Sequence, residues 1–238
     1  MANSIQSQPA FLLHSRPYRD TSLLVDFITQ DFGRMSAVAK GVRSPKSKSR
    51  ALLQPFIPLI INLSGKSELK TLGQVESQAN SVALKHKALF GAMYVNELLV
   101  RLIHKQDSDV EIFSLYEETL INLSNNPDLE PVLRKFELNL LGLLGYAIDF
   151  SMLEESTRND ELVCWYHFQH ESGFELVSDA SNKLEKYFSS AALRQIADKN
   201  FTELETQKTA KRLLRAALSA HLGEKPLSSR SLFQKNIS

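Results

Sequence analysis

The sequence predicts an α+β protein in which a small closed β-barrel precedes a mainly α-helical domain. Short apolar segments separated by turn residues fill about the first 80 residues, and apolar residues then recur at helical spacing from residue 81 onward. A chain of 238 residues is long enough for two domains of ordinary size. Hydrophobic residues make up 43% of it and charged residues 23%, so the chain has enough apolar material for a real core.

The first domain, 1–80, contains five segments with the composition of β-strands. They lie at residues 10–16, 23–29, 35–42, 52–63 and 69–75. Gly33 falls in the turn between the second and third segments, which predicts a β-hairpin there. Pro55 and Pro58 indicate a bend or an edge strand at the fourth segment. Because short strands expose sheet edges unless the sheet closes, we expect a five-stranded barrel.

The second domain, 81–238, has the periodicity of amphipathic helices. We expect helices at about residues 89–103, 110–123, 130–144, 191–198 and 206–222. Pro131 falls in the first turn of the third helix, where proline is well tolerated, and Gly223 follows the last helix. Two short segments, 162–168 and 173–177, predict a small inserted hairpin. The boundary between the domains is expected near residues 77–86.

A basic segment without acidic residues is the strongest functional signal in the first domain. Residues 1–80 carry ten basic and five acidic side chains, and no acidic residue falls between Asp31 and Glu68. A local field of one sign attracts polyanions even though the net charge of the chain is only +1. The cations that we expect to contact DNA phosphates are Arg34, Lys40, Arg43, Lys46, Lys48 and Arg50. Charge alone supports a solvated loop without a partner equally well.

Neighbouring residues add two expectations about this segment. Residues 43–50 include no large apolar side chain and predict a mobile loop, while Gly41 suggests a β-bulge or a close backbone approach. Tyr18, Phe32 and Phe56 are candidate platforms on which unpaired bases stack. For each of these rings, packing in the core is the commoner alternative.

No catalytic motif is recognisable, so we expect a protein that is not an enzyme and holds no cofactor. Gly142 and Gly145 lie at a helix end and lack the lysine of a phosphate-binding loop. Cys164, His167 and His170 resemble metal ligands in type. On a strand, however, Cys164 and His167 face opposite sides, so we expect no metal site.

The sequence also predicts a cytoplasmic protein that does not enter a membrane. The longest uncharged apolar run, residues 55–63, is far shorter than the ~20 residues that a membrane span needs. Residues 1–9 are polar and have no secretory pattern. A single cysteine cannot form a disulfide within the chain.

Short motifs along the whole chain resemble RecO, the family of bacterial recombination mediators of the RecFOR pathway. In the first domain they are FLLHSRP (11–17), TSL (21–23), GR (33–34), AKGVR (39–43), QPF (54–56) and ELKTL (68–72). In the second domain they are YVNEL (94–98), RKFEL (134–138), LGY (144–146) and KPLSSR (225–230). Each motif is weak alone, but their order and coverage make the resemblance specific.

The resemblance implies an OB-fold, a helical second domain and a non-enzymatic role in DNA repair and recombination. Members of this family bind single- and double-stranded DNA, anneal complementary strands and join the partner RecR. They help to load the recombinase RecA onto DNA coated with single-strand-binding protein, in the bacterial cytoplasm at the nucleoid. Some members hold zinc on four cysteines near residues 152–164, where this chain has only Cys164. The resemblance therefore does not extend to zinc.

A further implication is a site in the second domain for the acidic, aromatic-ended C-terminal tail of single-strand-binding protein. The residues that we expect to form it are Arg134, Lys135, Leu138, Leu141, Phe113 and Tyr116. In this hypothesis a cation binds the tail carboxylates, and the rings wall an apolar slot between two antiparallel helices. Arg134 is preferred to Lys135 because a guanidinium binds a carboxylate with two hydrogen bonds. The alternative is amphipathic packing with solvent-facing basic tips.

Other interpretations stay open. Lys208, Lys211, Arg212 and Arg215 form a second basic stripe at helical spacing, for which a binding role and simple solvation are equally supported. A nuclease-like enzyme would show metal-dependent cleavage of a labelled strand. A protein adaptor would show no DNA affinity at low salt.

Overall fold

Five strands close into a barrel in the computed structural model, which describes residues 4–78, 82–105, 110–153, 164–177, 186–229 and 231–232. The strands are β1 (Ser4–Tyr18), β2 (Ser22–Thr29), β3 (Gly33–Ala39), β4 (Pro58–Ser64) and β5 (Lys70–Ser77). Their order is β1-β2-β3-β5-β4, β4 pairs back to β1, and only the β3–β5 pair is parallel. This is an OB-like barrel, and helices follow it, so the predicted α+β fold is confirmed.

Alternation along the strands fills the barrel interior. Leu12, Val25 and Phe27 are fully buried, and Leu59 and Ile61 of β4 complete the same core. Successive side chains on a strand point to opposite faces, so every second residue reaches this core. The predicted hairpin between β2 and β3 is also confirmed, and the glycine at its turn has a φ of 59°.

β1 is longer than predicted because backbone pairing, which the apolar pattern does not record, extends it, whereas β4 is shorter than the predicted segment 52–63. β1 begins at Ser4 because its polar N-terminal residues also pair with β4, where Ser4 lies opposite Ser64. Strand hydrogen bonds satisfy the backbone whatever the side chains are. Pro58 is the first residue of β4, which has β1 on one side and β5 on the other. The alternative of an edge strand at this position is therefore wrong.

The outer face of β1 is buried as well, beneath two helices. These are α2 (Lys87–Leu102) and α3 (Val110–Asn125). The ring of Phe11 lies 5.6 Å from the ring of Phe113 and 5.1 Å from that of Tyr116, measured between centroids. The Tyr116 hydroxyl donates a 2.7 Å hydrogen bond to Asn96, and burial raises the pKa of this tyrosine. The helices thus pack against the barrel through an aromatic cluster.

Contacts divide the chain into two compact units, and their boundary lies well beyond the barrel. The first unit covers Met1–Pro127 and Pro226–Ser238, and the second covers Asp128–Lys225. The predicted boundary near residues 77–86 follows the end of β5, and residues 79–81 of it lie outside the described residues. Asn96 shows why α2 belongs with the barrel, since its side-chain amide donates a 3.0 Å hydrogen bond to the carbonyl of Leu13.

A C-terminal segment returns to the first unit, where Glu97 of α2 holds it. The Glu97 carboxylate accepts hydrogen bonds of 2.8 Å from the N–H groups of Ser228 and Ser229 and one of 2.6 Å from the Ser229 hydroxyl. Burial alone raises the pKa of Glu97, but these hydrogen bonds and the charge of Arg101 outweigh it. The pKa of Glu97 therefore lies below its ordinary value.

The described part of the second unit includes three helices and a small three-stranded sheet. The helices are α4 (Glu130–Leu143), α5 (Ser190–Ala197) and α6 (Leu204–Leu222), and the strands are β6 (Trp165–Gln169), β7 (Gly173–Val177) and β8 (Phe188–Ser189). The sheet order is β7-β6-β8, so β6 and β7 form the predicted hairpin, whose first expected residues, 162–163, lie outside the described residues. Leu213, Leu214 and Leu218 of α6 are fully buried. Among the described helices, none has the length and apolar character to span a bilayer.

Candidate nucleic-acid interface

The basic loop, residues 40–50, follows β3 and is anchored by the barrel core. Val42 and Leu53 are each only 4% exposed and pack in that core. Between them the backbone turns, with the N–H of Ser44 donating to the carbonyl of Gly41 at 3.1 Å, and then enters the short helix α1 (Ser49–Leu52). Two buried anchors thus hold a segment whose basic side chains stay outside the core.

Five of the six predicted phosphate contacts are exposed on the basic loop. They are Lys40, Arg43, Lys46, Lys48 and Arg50. Among the ion pairs of the described residues, none uses any of these five cations. Their charge therefore faces solvent without a neutralising carboxylate, which is the electrostatic character of a phosphate-binding surface.

The turn between β1 and β2 joins the basic loop. The N–H of Arg43 donates to the carbonyl of Thr21 at 2.8 Å, and its guanidinium donates to the carbonyl of Arg19 at 3.2 Å. The guanidinium of Arg19 lies 5.3 Å from the centre of the Tyr18 ring. Tyr18 and Arg19 thus extend the basic surface, with Asp20 as the acidic residue of the same turn.

Arg19 was absent from the predicted contacts, although a signal for it existed. The sequence predicted a hairpin of the second and third segments, and in such a hairpin the start of the second strand, with the turn before it, lies beside the end of the third strand. The pairing of Leu23 with Ala39 realises this arrangement. Topology, and not the local charge pattern, was the usable signal.

Gly41 allows a left-handed backbone conformation in the turn, and no other part of the described chain packs closely against it. Its φ is +68°, a left-handed value that residues with a side chain rarely adopt. A Cβ placed at Gly41 would meet no atom within 4 Å. No described part of this chain approaches Gly41 closely, and its left-handed φ in the turn explains the glycine.

Arg34, the sixth predicted contact, is directed into the first unit. Its guanidinium donates to the carbonyl of Val100 and, at 3.2 Å, to that of Ile103, at the C-terminal end of α2. It also lies 3.5 Å from the carboxylate of Asp26, and its side chain is only 14% exposed. A cation is favourable at a helix C-terminus, where carbonyl groups lack partners. The structure therefore assigns Arg34 to the packing of β3 against α2 and separates it from the exposed cations.

The three candidate stacking rings occupy different places. Tyr18 is half-buried beside the basic loop, as described above. Phe32 is 40% exposed, but it precedes β3 and so lies at the other end of that strand from Lys40. Phe56 is half-buried in the segment before β4. Of the three rings, the structure brings only Tyr18 to the basic surface by a described contact.

On α4, Arg134 is buried and already paired. Its guanidinium lies 2.9 Å from the carboxylate of Glu137 and 3.6 Å from that of Glu130, which in turn lies 2.6 Å from the ammonium of Lys211. The side chain of Arg134 is 6% exposed. An incoming carboxylate would have to displace Glu137. The preference for Arg134 over Lys135 is therefore corrected, because Lys135 is the exposed cation of the two.

The predicted aromatic walls of this site have another location. Phe113 and Tyr116 belong to the first unit, where both are buried against Phe11. Of the apolar residues expected on α4, Leu141 is 1% exposed and Leu138 is half-buried. The described residues that remain available for a peptide are thus Lys135 and Leu138.

The second basic stripe, on α6, is divided. Lys211 pairs with Glu130, and Arg212 donates to the carbonyl of Tyr187 and lies 4.5 Å above the ring of Phe188. Lys208 and Arg215 are exposed. Lys211 and Arg212 thus contact other parts of the second unit, which leaves Lys208 and Arg215 as the exposed cations of the four.

Cys164, His167 and His170 have separate surroundings. The backbone of Cys164 exchanges hydrogen bonds with Ser190, whereas the ring of His170 lies 4.7 Å from that of His221. Among the described residues, no group of three or more histidine, cysteine or acidic side chains could hold a metal ion. Of residues 152–164, where the resemblance implied zinc ligands in some family members, 154–163 lie outside the described residues.

These features define a class of protein: an OB-like barrel with an exposed basic loop, joined to a helical unit. Family models confirm the resemblance found in the motifs. The model described as Recombination protein O N terminal matches residues 1–80, and the one described as Recombination protein O C terminal matches residues 85–231. The chain belongs to the RecO family of DNA repair proteins.

Curated relatives agree over nearly the whole chain. A protein of Tolumonas auensis named DNA repair protein RecO is 42% identical over 96% of this chain and 95% of its own length. A protein of the same name from Haemophilus influenzae is 40% identical over 97% of this chain and 96% of its own length. Another from Cellvibrio japonicus is 41% identical over 96% of this chain and 97% of its own length.

Proposed function

We propose that the protein binds single- and double-stranded DNA through its basic loop, anneals complementary strands, and assists loading of the recombinase RecA without performing covalent chemistry itself. The observation that supports this proposal is the set of exposed loop cations, which form no ion pair with any of the described residues. Membership of a DNA repair family supports a polyanion as the ligand of these cations.

The loop suits phosphates more than bases. Lysine and arginine side chains that neutralise phosphates release counterions, so binding is strong at low salt and carries little sequence preference. Tyr18, held beside Arg19, adds a ring on which one unpaired base could stack. Annealing needs such sequence-independent contacts, because the two strands must still pair with each other.

A salt titration of DNA binding tests the location of the interface. Replacing Lys46, Lys48 and Arg50 with alanine should flatten the log–log salt dependence by about two to three units, since each lost phosphate contact removes about 0.7 to 0.9. A matched control removes the same charge elsewhere, by replacing Lys135, Lys208 and Arg215. The proposal fails if the control flattens the slope as much as the loop variant does.

A labelled strand tests the absence of covalent chemistry. Incubated with Mg²⁺ or Mn²⁺, the strand should stay intact while its annealing to a complementary strand accelerates. Cleavage that a chelator abolishes would instead establish the nuclease-like alternative. A protein without DNA affinity at low salt would establish the adaptor.

The partners that we propose are RecR and the C-terminal tail of single-strand-binding protein. Family membership supports both, and co-elution of purified RecR with this chain would test the first. For the tail, exposed Lys135 and half-buried Leu138 lie one turn apart on α4 and suit an acidic peptide with an apolar end. Lys135→Ala should weaken binding of a tail peptide several-fold without changing DNA affinity. If only Lys208→Ala weakens it, the site lies on α6.

A further inference from the structure

A cavity within the second unit takes no part in the function proposed above. Its volume is about 380 Å³, and it lies among the segment after α4, the β6–β7 hairpin and the last turns of α6. A cavity near the lower end of the range for small-ligand sites holds one or two side chains. Its lining residues all belong to the second unit.

Aromatic rings line this cavity. Tyr146 is 47% exposed and stacks on His221, with the ring centroids 3.7 Å apart. On the hairpin side, the rings of Phe168 and Phe174 lie 5.1 Å apart. The faces of tyrosine and phenylalanine rings carry partial negative charge and attract cations.

Asp149 gives the cavity a negative charge. Its carboxylate, which is ionised at neutral pH as aspartates ordinarily are, accepts a 2.8 Å hydrogen bond from the N–H of Ser151, and this hydrogen bond lowers the pKa of Asp149. The described lining includes no lysine or arginine. Burial, and then the neighbouring His170, lower the pKa of His221, so this imidazole does not supply a compensating positive charge at neutral pH.

We propose that this cavity binds the cationic side chain of a partner protein, an arginine or lysine flanked by an apolar residue. The aromatic faces surround the cation and its aliphatic stem, and Asp149 accepts its hydrogen bonds. A phosphate or an acidic peptide would meet the charge of Asp149 without a lysine or arginine among the described lining residues to balance it. The cavity is therefore chemically unlike the basic loop and would recruit a basic segment of a protein.

Titration of the purified full chain with acetyl-Phe-Arg-amide, followed by the NMR signals of the His221 ring, tests the proposal. The dissociation constant of the peptide should be about 1 mM or lower, and Asp149→Asn should weaken its binding about fivefold to tenfold. Asparagine can still accept the hydrogen bond of Ser151, so the fold should persist. Tyr146→Ala should weaken binding several-fold through loss of the ring.

The matched control is Glu205→Gln, which removes one exposed negative charge in the first turn of α6 and should leave the affinity unchanged. Acetyl-Phe-Glu-amide and thymidine monophosphate should not bind. The proposal is overturned if either anion binds as tightly as the cationic peptide, or if Asp149→Asn behaves like the control. Equal binding of agmatine would overturn the peptide assignment in favour of a small cation, and no binding by acetyl-Phe-Arg-amide would overturn the site.

Discussion

The basic loop and helix α4 contain the same kinds of cation in opposite situations. Lys46 and Arg50 of the loop are exposed and have no ion-pair partner among the described residues, whereas Arg134 of α4 is buried between two carboxylates. The local sequence accounts for this difference. Glutamates stand four residues before and three residues after Arg134, on one helix face, while the loop holds no acid at all. Cations without acidic neighbours stay available to a ligand.

Arg34 limits this rule. It lies in the same acid-free stretch as the loop, yet its guanidinium donates hydrogen bonds to carbonyl groups at the end of α2. One of these, the carbonyl of Val100, is 66 residues further along the chain. Local composition therefore identifies available cations only where no distant element supplies acceptors. Variants of these residues should change the free energy of unfolding by different amounts, the most where the charge is buried and the least where it is exposed.

Glu137→Ala should give the largest loss. It leaves the buried guanidinium of Arg134 without its nearest carboxylate, and breaking a buried ion pair costs about 3–5 kcal/mol. Urea unfolding of the variant and of the wild type measures this loss of free energy of unfolding. The control Glu130→Ala removes the more exposed partner of the same arginine and should cost about 1 kcal/mol or less. Equal losses for both variants would show that burial does not set the strength of this network.

Arg34→Ala should separate stability from DNA binding. The loss of hydrogen bonds between a charged group and the end of α2 should cost about 2 kcal/mol, while the salt dependence of DNA binding stays unchanged. Arg43→Ala should do the reverse, with little effect on unfolding and a salt slope flatter by about 0.7 to 0.9. A flatter slope in Arg34→Ala would contradict the assignment of this arginine to packing.

Glu97→Gln extends the contrast to an anion held by hydrogen bonds. Because the pKa of Glu97 is lowered in the folded protein from 4.5, its ionisation stabilises the fold above that pH. The stabilisation is lost as the pH falls through the lowered value. The variant should cost about 1 kcal/mol or less at pH 7, since solvent screens the partly exposed carboxylate. The difference from the wild type should shrink on acidification, and a difference that grows instead would contradict the lowered pKa.

The loop variant that lacks Lys46, Lys48 and Arg50 should show the smallest change. Substitutions of exposed side chains usually change stability by less than about 0.5 kcal/mol in either direction, so three of them partly offset one another. Thermal and urea unfolding should therefore resemble those of the wild type. A large loss of stability would mean that the loop cations support the barrel, and it would remove the basis for their assignment to DNA.

Local patterns were sufficient for the order of elements. The glycine at the β2–β3 turn and the apolar alternation of β2 predicted that hairpin, and helical spacing predicted α3, α4 and α6 to within a few residues at each end. The five loop cations were also recognisable, because no acidic residue falls between Asp31 and Glu68 and residues 43–50 include no large apolar side chain to bury. Each of these features depends on residues that are close together in the chain.

Partners that are distant in the chain were decided only by tertiary structure. Helical spacing shows that Phe113 and Tyr116 occupy a buried face, but it does not show that this face packs on Phe11 of β1, about a hundred residues earlier. In the same way, α2 joins the barrel because the outer face of β1 is apolar, and Arg34 turns inward because the end of α2 offers carbonyl groups. Periodicity records which face is buried, whereas the identity of the covering surface depends on how the elements pack.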